Sequence, residues 1–166
     1  MAKGSRDALI AQLGDEVRAT QSAVDALDEA VAEYLRVNRT DLRCLEILLI
    51  ESESATPGQL ANRLGLTTGS VTAMLDRLAR LGYVTRTPDA VDRRKIVVQA
   101  TPEVAERVRG IYGPIAESGA RELGRYTIEQ LHLLIDFHQR ARALQESHLT
   151  RVRALRDADR PRPQRH

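Results

Sequence analysis

The sequence predicts a mostly α (α+β) chain, in which short, sharply capped helices and one β-hairpin stand between two long helical arms. Three observations carry this. Apolar residues form helical faces in several segments, at alternating spacings of four and three along the first. β-Branched residues gather in two short runs, Tyr83-Val-Thr-Arg86 and Ile96-Val-Val-Gln99. Aromatics are only 3% of the 166 residues, with no Trp, so the core must be built from Leu, Ile, Val and Ala, which suits packed helices.

The first helix carries Leu13, Val17, Thr20, Val24, Leu27, Val31 and Tyr34 as a heptad-like stripe, with Asp15, Glu16, Arg18, Asp25, Asp28 and Glu29 opposite. That stripe needs a surface to cover it, either a partner subunit or the chain's own C-terminal helices. A second helix is expected to start at Thr40 as N-cap, with Asp41 favouring the positive end of its dipole. It buries Leu42, Leu45, Leu48 and Leu49, with Cys44 partly buried, and ends in Glu51-Ser-Glu-Ser54.

The third helix has Thr56 as N-cap, Pro57 at its first position and Gln59 completing a capping box. Leu60, Ala61 and Leu64 face inward, and Gly65 makes the turn. The fourth begins after Thr67, buries Val71, Met74, Leu75 and Leu78, and stops at Gly82. The hairpin follows, with a charged tip from Pro88 to Lys95. Thr101-Pro102 opens another helix, which Gly113-Pro114 should kink or break. Thr127 and Gln130 cap the last helix, whose face is Leu131, Leu134, Ile135, His138, Leu144 and Val152. From Asp157 to His166 the Arg- and Pro-rich composition predicts a disordered tail.

Net charge is only +2, yet it is unevenly spread: −5 over residues 1–62, +4 over 63–95, −1 over 96–149 and +4 over 150–166. Clustered Lys and Arg are the footprint of a polyanionic partner. Absent an apolar run at Met1–Asp7 or a membrane-length apolar stretch, and with Cys44 as the single cysteine, the expected setting is the cytoplasm.

Helices three and four read as a helix-turn-helix, from small Ala61 at the crossing, Gly65 in the turn, and Val71 and Met74 locking the second helix. The face opposite Val71, Leu75 and Leu78 offers Thr68, Gly69, Ser70, Thr72, Ala73 and Asp76, with Arg77 at its edge. These small polar side chains allow close approach to the major groove and bonding to phosphates or base edges. At the hairpin tip, Arg93, Arg94 and Lys95 suit the negative minor groove, with Asp92 orienting an arginine.

With these residues in place, the chain from about Thr40 to Thr101 resembles the MarR family of bacterial transcriptional regulators. The carrying stretches are Thr56-Pro-Gly-Gln-Leu-Ala-Asn-Arg-Leu-Gly-Leu-Thr67, Ser70-Val-Thr-Ala-Met-Leu-Asp-Arg-Leu78, Leu81-Gly-Tyr-Val84 and Asp89-Ala-Val-Asp-Arg-Arg94. The resemblance implies a winged helix-turn-helix at 39–101, an N-terminal dimerisation helix at 1–38, C-terminal dimerisation helices at 102–156 and a basic tail at 157–166. It further implies a homodimer on a palindromic DNA operator, Thr68–Leu81 as recognition helix, Arg94 in the minor groove beside Asp92, and release by a small-molecule effector. The chain departs from the family at Thr68 and Gly69, where many members carry Arg or Lys for guanine readout. Binding then leans on the wing and on phosphates, with steep salt dependence.

Other readings have less support. Cys44 as an oxidant sensor would sit in the second helix beside Leu45 and Leu48, where a free Cys is commonly a small apolar residue. His132, His138 and His148, spaced by six and ten, do not pair on adjacent turns, so no metal is expected. No Gly-rich phosphate loop, nucleophile elbow or HExxH occurs, so neither cofactor nor catalysis is expected. A protein-interaction module on the same fold remains the alternative, and the basic 63–95 segment argues against it. The rings of Tyr34, Tyr112, Tyr126 and Phe137 lie near the long helices as unassigned pocket candidates.

Overall fold

The computed structural model describes residues 2–89 and 92–158. The chain divides into two compact units, residues 1–113 and 114–166.

In the first unit, α1 runs from Ala2 to Leu35. Its C-terminal third is anchored, by the buried Val31, Ala32 and Leu35 and by Arg39 of the next helix, which donates to the Asp25 carbonyl and carboxylate at 3.0 and 2.9 Å. Leu9, Ile10, Leu13, Val17 and Val24 upstream stay exposed. Arg36 ends the helix with φ 57°, a left-handed conformation that costs a non-glycine residue energy.

Helix α2 spans Arg39–Glu46. Its N-cap is Asn38 rather than Thr40, because the Asn38 side chain accepts the Asp41 N–H at 2.8 Å and Thr40 already lies in the first turn. A single π-helical turn, Ile47–Glu51, continues it and is closed by Ser52 N–H to the Ile47 carbonyl at 2.9 Å. The wider turn buries Ile47 and Leu48 and leaves Ile50 exposed. Cys44 is fully rather than partly buried.

The expected punctuation holds for α3, Pro57–Leu64. Gln59 N–H reaches the Thr56 hydroxyl at 3.3 Å, and the Gln59 side chain accepts the Thr56 N–H at 2.8 Å. Gly65 adopts φ 66° and ψ 32° and brings the Leu66 N–H back to the Ala61 carbonyl. Helix α4, Thr68–Arg80, is capped by Thr67 and buries Val71, Met74, Leu75 and Leu78. Gly82, φ 73°, turns the chain into β1.

Strands β1 (Val84–Pro88) and β2 (Ile96–Ala100) pair antiparallel, Val84 opposite Ala100 and Pro88 opposite Ile96. Ala55 exchanges two backbone hydrogen bonds with Val98, at 3.0 and 2.8 Å, on the other edge of β2. The core is aliphatic, as composition demands. Leu35, Leu45, Leu60, Leu75, Leu78, Val98 and Val104 close it, with Tyr83 at its margin.

Helix α5 spans Pro102–Leu123 and passes through Gly113-Pro114 without the break that proline suggests. The carbonyl that loses its partner belongs to Gly110, an exposed residue that water can serve. In the second unit α6 spans Ile128–Ala158, capped by Thr127 and Gln130 at 2.9 and 3.3 Å. The helix thus includes Asp157 and Ala158, where the tail was expected to begin, while residues 159–166 lie outside the described residues.

Replacing Gly65 by Ala puts a methyl on a left-handed residue. We expect a loss of about 1 kcal/mol in urea unfolding and a smaller loss for Gly65→Asn. Equal losses would mean that the turn does not need the left-handed conformation.

Candidate nucleic-acid interface

An amphipathic helix displays whichever residues its buried stripe leaves over. With Val71, Met74, Leu75 and Leu78 inside, the structure brings Thr68, Gly69, Ser70, Thr72 and Ala73 together on the exposed side of α4. A Cβ at Gly69 would meet nothing within 4 Å, so packing inside the chain does not require glycine there. Two hydroxyls on this face are already engaged. The Ser70 and Thr67 hydroxyls lie 2.9 Å apart, and Thr72 Oγ1 donates to the Thr68 carbonyl at 3.0 Å.

Arg77 has a different setting from an edge residue that waits for a ligand. Its Nε and Nη2 donate to the two Asp41 carboxylate oxygens at 3.2 and 2.7 Å. The Asp41 side chain is 3% exposed and the Arg77 side chain 41%. Asp41, in the first turn of α2 as expected, is also buried and clamps α4 onto α2. The Asp41 hydrogen bond raises the Arg77 pKa, so the guanidinium stays charged. Nη1 takes no part in the clamp and is available to an outside acceptor.

A second ion pair was not anticipated. Arg86 of β1 reaches Asp76 of α4 at 2.6 Å, while Arg80 Nε donates to the Asp76 carbonyl at 3.3 Å. Asp76 and Arg86 stand ten residues apart on a helix and a strand, and no single-element periodicity pairs them. This bridge ties the hairpin to the exposed face of α4.

At the hairpin tip, the Asp89 side chain accepts the Asp92 N–H at 2.8 Å, and Lys95 N–H bonds the Asp92 carbonyl at 2.8 Å. Asp92 Oδ1 accepts both the Arg94 N–H, at 3.2 Å, and its Nε, at 3.4 Å. Lys95 Nζ lies 3.9 Å from the other oxygen. Asp92 thus organises the turn that carries Arg94, whose side chain is 93% exposed. Arg93 and Lys95 are exposed beside it. Ala90 and Val91 of the same motif lie outside the described residues.

The surroundings of Cys44 bear on the oxidant reading. Burial, then the Asp41 carboxylate, pushes the Cys44 thiol from 9.0 up to about 12, which suppresses the thiolate that oxidants attack. No group of three or more His, Cys, Asp or Glu placed to hold a metal occurs among the described residues. No helix among them is long and apolar enough to cross a membrane.

A family model described as the MarR family matches residues 37–95. The uncharacterized HTH-type transcriptional regulator YcgE of Bacillus subtilis is 36% identical over 125 residues, covering 75% of this chain and 80% of that protein. The HTH-type transcriptional repressor YetL of the same organism is 40% identical over 53 residues, 32% of each chain. A MarR family protein from Bacillus stearothermophilus superposes with TM-score 0.59 at 19% identity, covering 86% of this chain and 97% of that one. Wild-type MarR of E. coli, in its apo form, gives 0.54 at 22% identity over 78% and 96%. These two likenesses show the fold.

Two outcomes test the clamp and the thiol. Asp41→Ala removes the carboxylate that clamps α4, leaves the half-exposed Arg77 to water and should cost about 1–2 kcal/mol in urea unfolding; a loss under about 0.5 kcal/mol would mean that α4 does not depend on it. Cys44 should resist a thiol-specific aromatic disulfide at pH 8 until the protein unfolds. Because its folded pKa lies above the unfolded one, the thiol favours the folded state below pH 9, and that contribution fades as pH rises from 9 towards 12.

Proposed function

The chain belongs to the MarR family of transcriptional regulators, and from that premise we propose that it is a homodimeric, cytoplasmic repressor that binds a palindromic operator and releases it when a small effector binds. It is a DNA-binding regulator on a winged helix, not an enzyme. The observation that carries the finer reading is a pairing of surfaces. A helix face of small polar residues stands beside a hairpin tip bearing Arg93, Arg94 and Lys95. Thr68, Gly69, Ser70, Thr72 and Ala73 enter the major groove, with Thr68 and Ser70 bonding phosphates or base edges. Arg94 enters the minor groove, held by Asp92, while Arg93 and Lys95 meet flanking phosphates. Arg77 serves mainly as the anchor of the helix and offers Nη1 to a phosphate.

The dimer reading rests on unpaired apolar surface. On α1, Leu9, Ile10, Leu13, Val17 and Val24 are between 46% and 63% exposed. On α6, Ile128, Leu133, Ile135, Leu144, Val152 and Leu155 are similarly bare. The second unit also carries an apolar groove of about 660 Å³ along Leu123, Leu131, Leu134, Ile135 and His138. Residues of this kind are covered by a partner in stable oligomers. A second copy sets two α4 helices against half-sites about one DNA turn (~34 Å) apart, and promoter occlusion follows from occupancy.

Fluorescence anisotropy against DNA from upstream of its own gene, with a scrambled duplex as control, should show preferential binding that weakens steeply with salt. Equal affinity for both duplexes at every salt concentration would remove sequence specificity. Arg94→Ala should cost roughly 1–3 kcal/mol of DNA affinity, and unchanged binding would take Arg94 out of the interface. Deleting the exposed part of α1 should yield monomers in sedimentation; a truncated chain that stays dimeric would move the interface elsewhere.

A further inference from the structure

A helix in the major groove reads bases with whatever its exposed face still has free. On the reading of α4 as that helix, we propose that this chain selects thymine through its 5-methyl group, and that Thr72, Ala73 and Gly69 are the residues that do so.

Guanine is read by the fork of an arginine or by a lysine, adenine by an Asn or Gln amide, and cytosine by a free carboxylate. Helix α4 has no Lys, Asn or Gln. Its arginines and its one carboxylate are already engaged within the chain. Arg77 gives Nε and Nη2 to Asp41 at 3.2 and 2.7 Å, so its guanidinium is held against α2 rather than offered to a base. Asp76 receives Arg86 at 2.6 Å. Arg80 bonds the Asp76 carbonyl at 3.3 Å and stands in the last turn, whereas a recognition helix meets base edges with its N-terminal residues. Thr68 and Ser70 lie in the first turn, where a helix N-terminus meets phosphate. Beyond them the face is aliphatic. Thr72 has its hydroxyl on the Thr68 carbonyl at 3.0 Å, which leaves its methyl as the group free for a partner. Ala73 offers only Cβ, and Gly69 only backbone. Thymine is the base with an apolar group in the major groove, and the methyls of Ala and Thr are apolar partners that suit it.

Helix periodicity sets Gly69 opposite the middle of the buried stripe of Val71, Met74, Leu75 and Leu78, with Ala73 one turn further along the same face. Gly69, Thr72 and Ala73 are all exposed. A Cβ on Gly69 would meet nothing within 4 Å, and glycine is a poor helix former, so nothing inside the chain calls for it. A partner at close range does. With no side chain at 69, the helix backbone can approach the bases until the methyls at 72 and 73 are in contact. Such contact costs little order. Ala73 has no rotamer to lose, and the Thr72 hydroxyl bond already holds its side chain.

The test begins with full-length protein and a randomised duplex pool, from which the enriched operator is taken. Its affinity is then measured by fluorescence anisotropy, with deoxyuridine replacing one thymidine at a time. Uracil keeps the pairing and the minor-groove edge of thymine and loses only the major-groove methyl, so contacts of the hairpin tip are untouched. One or two thymidines per half-site should each show about four-fold weaker binding on replacement, the worth of one buried methyl. Ala73→Gly and Thr72→Ser remove the protein's methyls, and Thr72→Ser keeps the hydroxyl bond. The ratio of thymine to uracil affinity is read within each protein, which cancels any general loss, and it should fall towards one in at least one of them. Gly69→Ala should weaken the operator about ten-fold, the usual penalty for a methyl forced into filled space, without loss of stability in urea. A uracil series flat at every position, a penalty that neither variant reduces, or a Gly69→Ala protein that binds as tightly would overturn the methyl readout and leave the operator standing. A pool in which no sequence is enriched would remove sequence-specific binding and the methyl readout together.

Discussion

A carboxylate that has lost its water must find other donors, and in this chain Asp41 finds them on α4. The apolar stripe of α4 fixes which side of the helix is buried but only loosely fixes its rotation and slide, because Leu and Val contacts tolerate small shifts. Two directed bonds from Arg77 do not. They set α4 against α2, and everything outward of α4 inherits that pose. The exposed face of Thr68 to Ala73 is presented at one angle. Asp76 meets Arg86, and the hairpin follows. Tyr83 stitches the end of α1 to the segment after α4 through the Leu35 carbonyl.

Local physics was legible in the sequence where it was decided locally. The capping boxes at Thr56–Gln59 and Thr127–Gln130 and the Thr67 cap form where their residue types suggest, because each needs only three or four neighbouring residues. The inner stripe of α4 follows from periodicity. The same reasoning placed the second N-cap at Thr40, since Asn38 and Thr40 are both cap-forming residues; the extended backbone at Asn38 decides between them, and it is set by how α1 ends. Asp41 does stand in the first turn as its residue type suggests, but its second role could not be read there. An acid in a first turn reads as a dipole partner, and its burial depends on a residue 36 positions away. The Arg86 bridge was invisible too, because it joins elements that meet only in the folded chain. Pro114 stayed inside α5 because an exposed Gly110 lowers the cost of one lost hydrogen bond.

The two ends of the chain contrast with this packed centre. The centre satisfies its polar groups, with Tyr112 Oη the buried side-chain atom left without a partner among the described residues. Along α1 and α6, by contrast, large aliphatic side chains remain in water. At roughly 25 cal/mol per Å², such surface outweighs the modest gains of the exposed helix ion pairs, such as Arg140 with Asp136. The long helices are thus formed over their full spans yet incomplete in burial.

The exchange of hydrogen bonds between Ala55 and Val98 has a mechanical meaning. It fastens the inner strand of the hairpin to the residue just ahead of the α3 cap, and both residues are buried. Tilting the hairpin base without α3 would break two dry backbone bonds together. The base of the hairpin therefore belongs to the same rigid body as α3. A partner that displaces the hairpin base must carry α3 along with it.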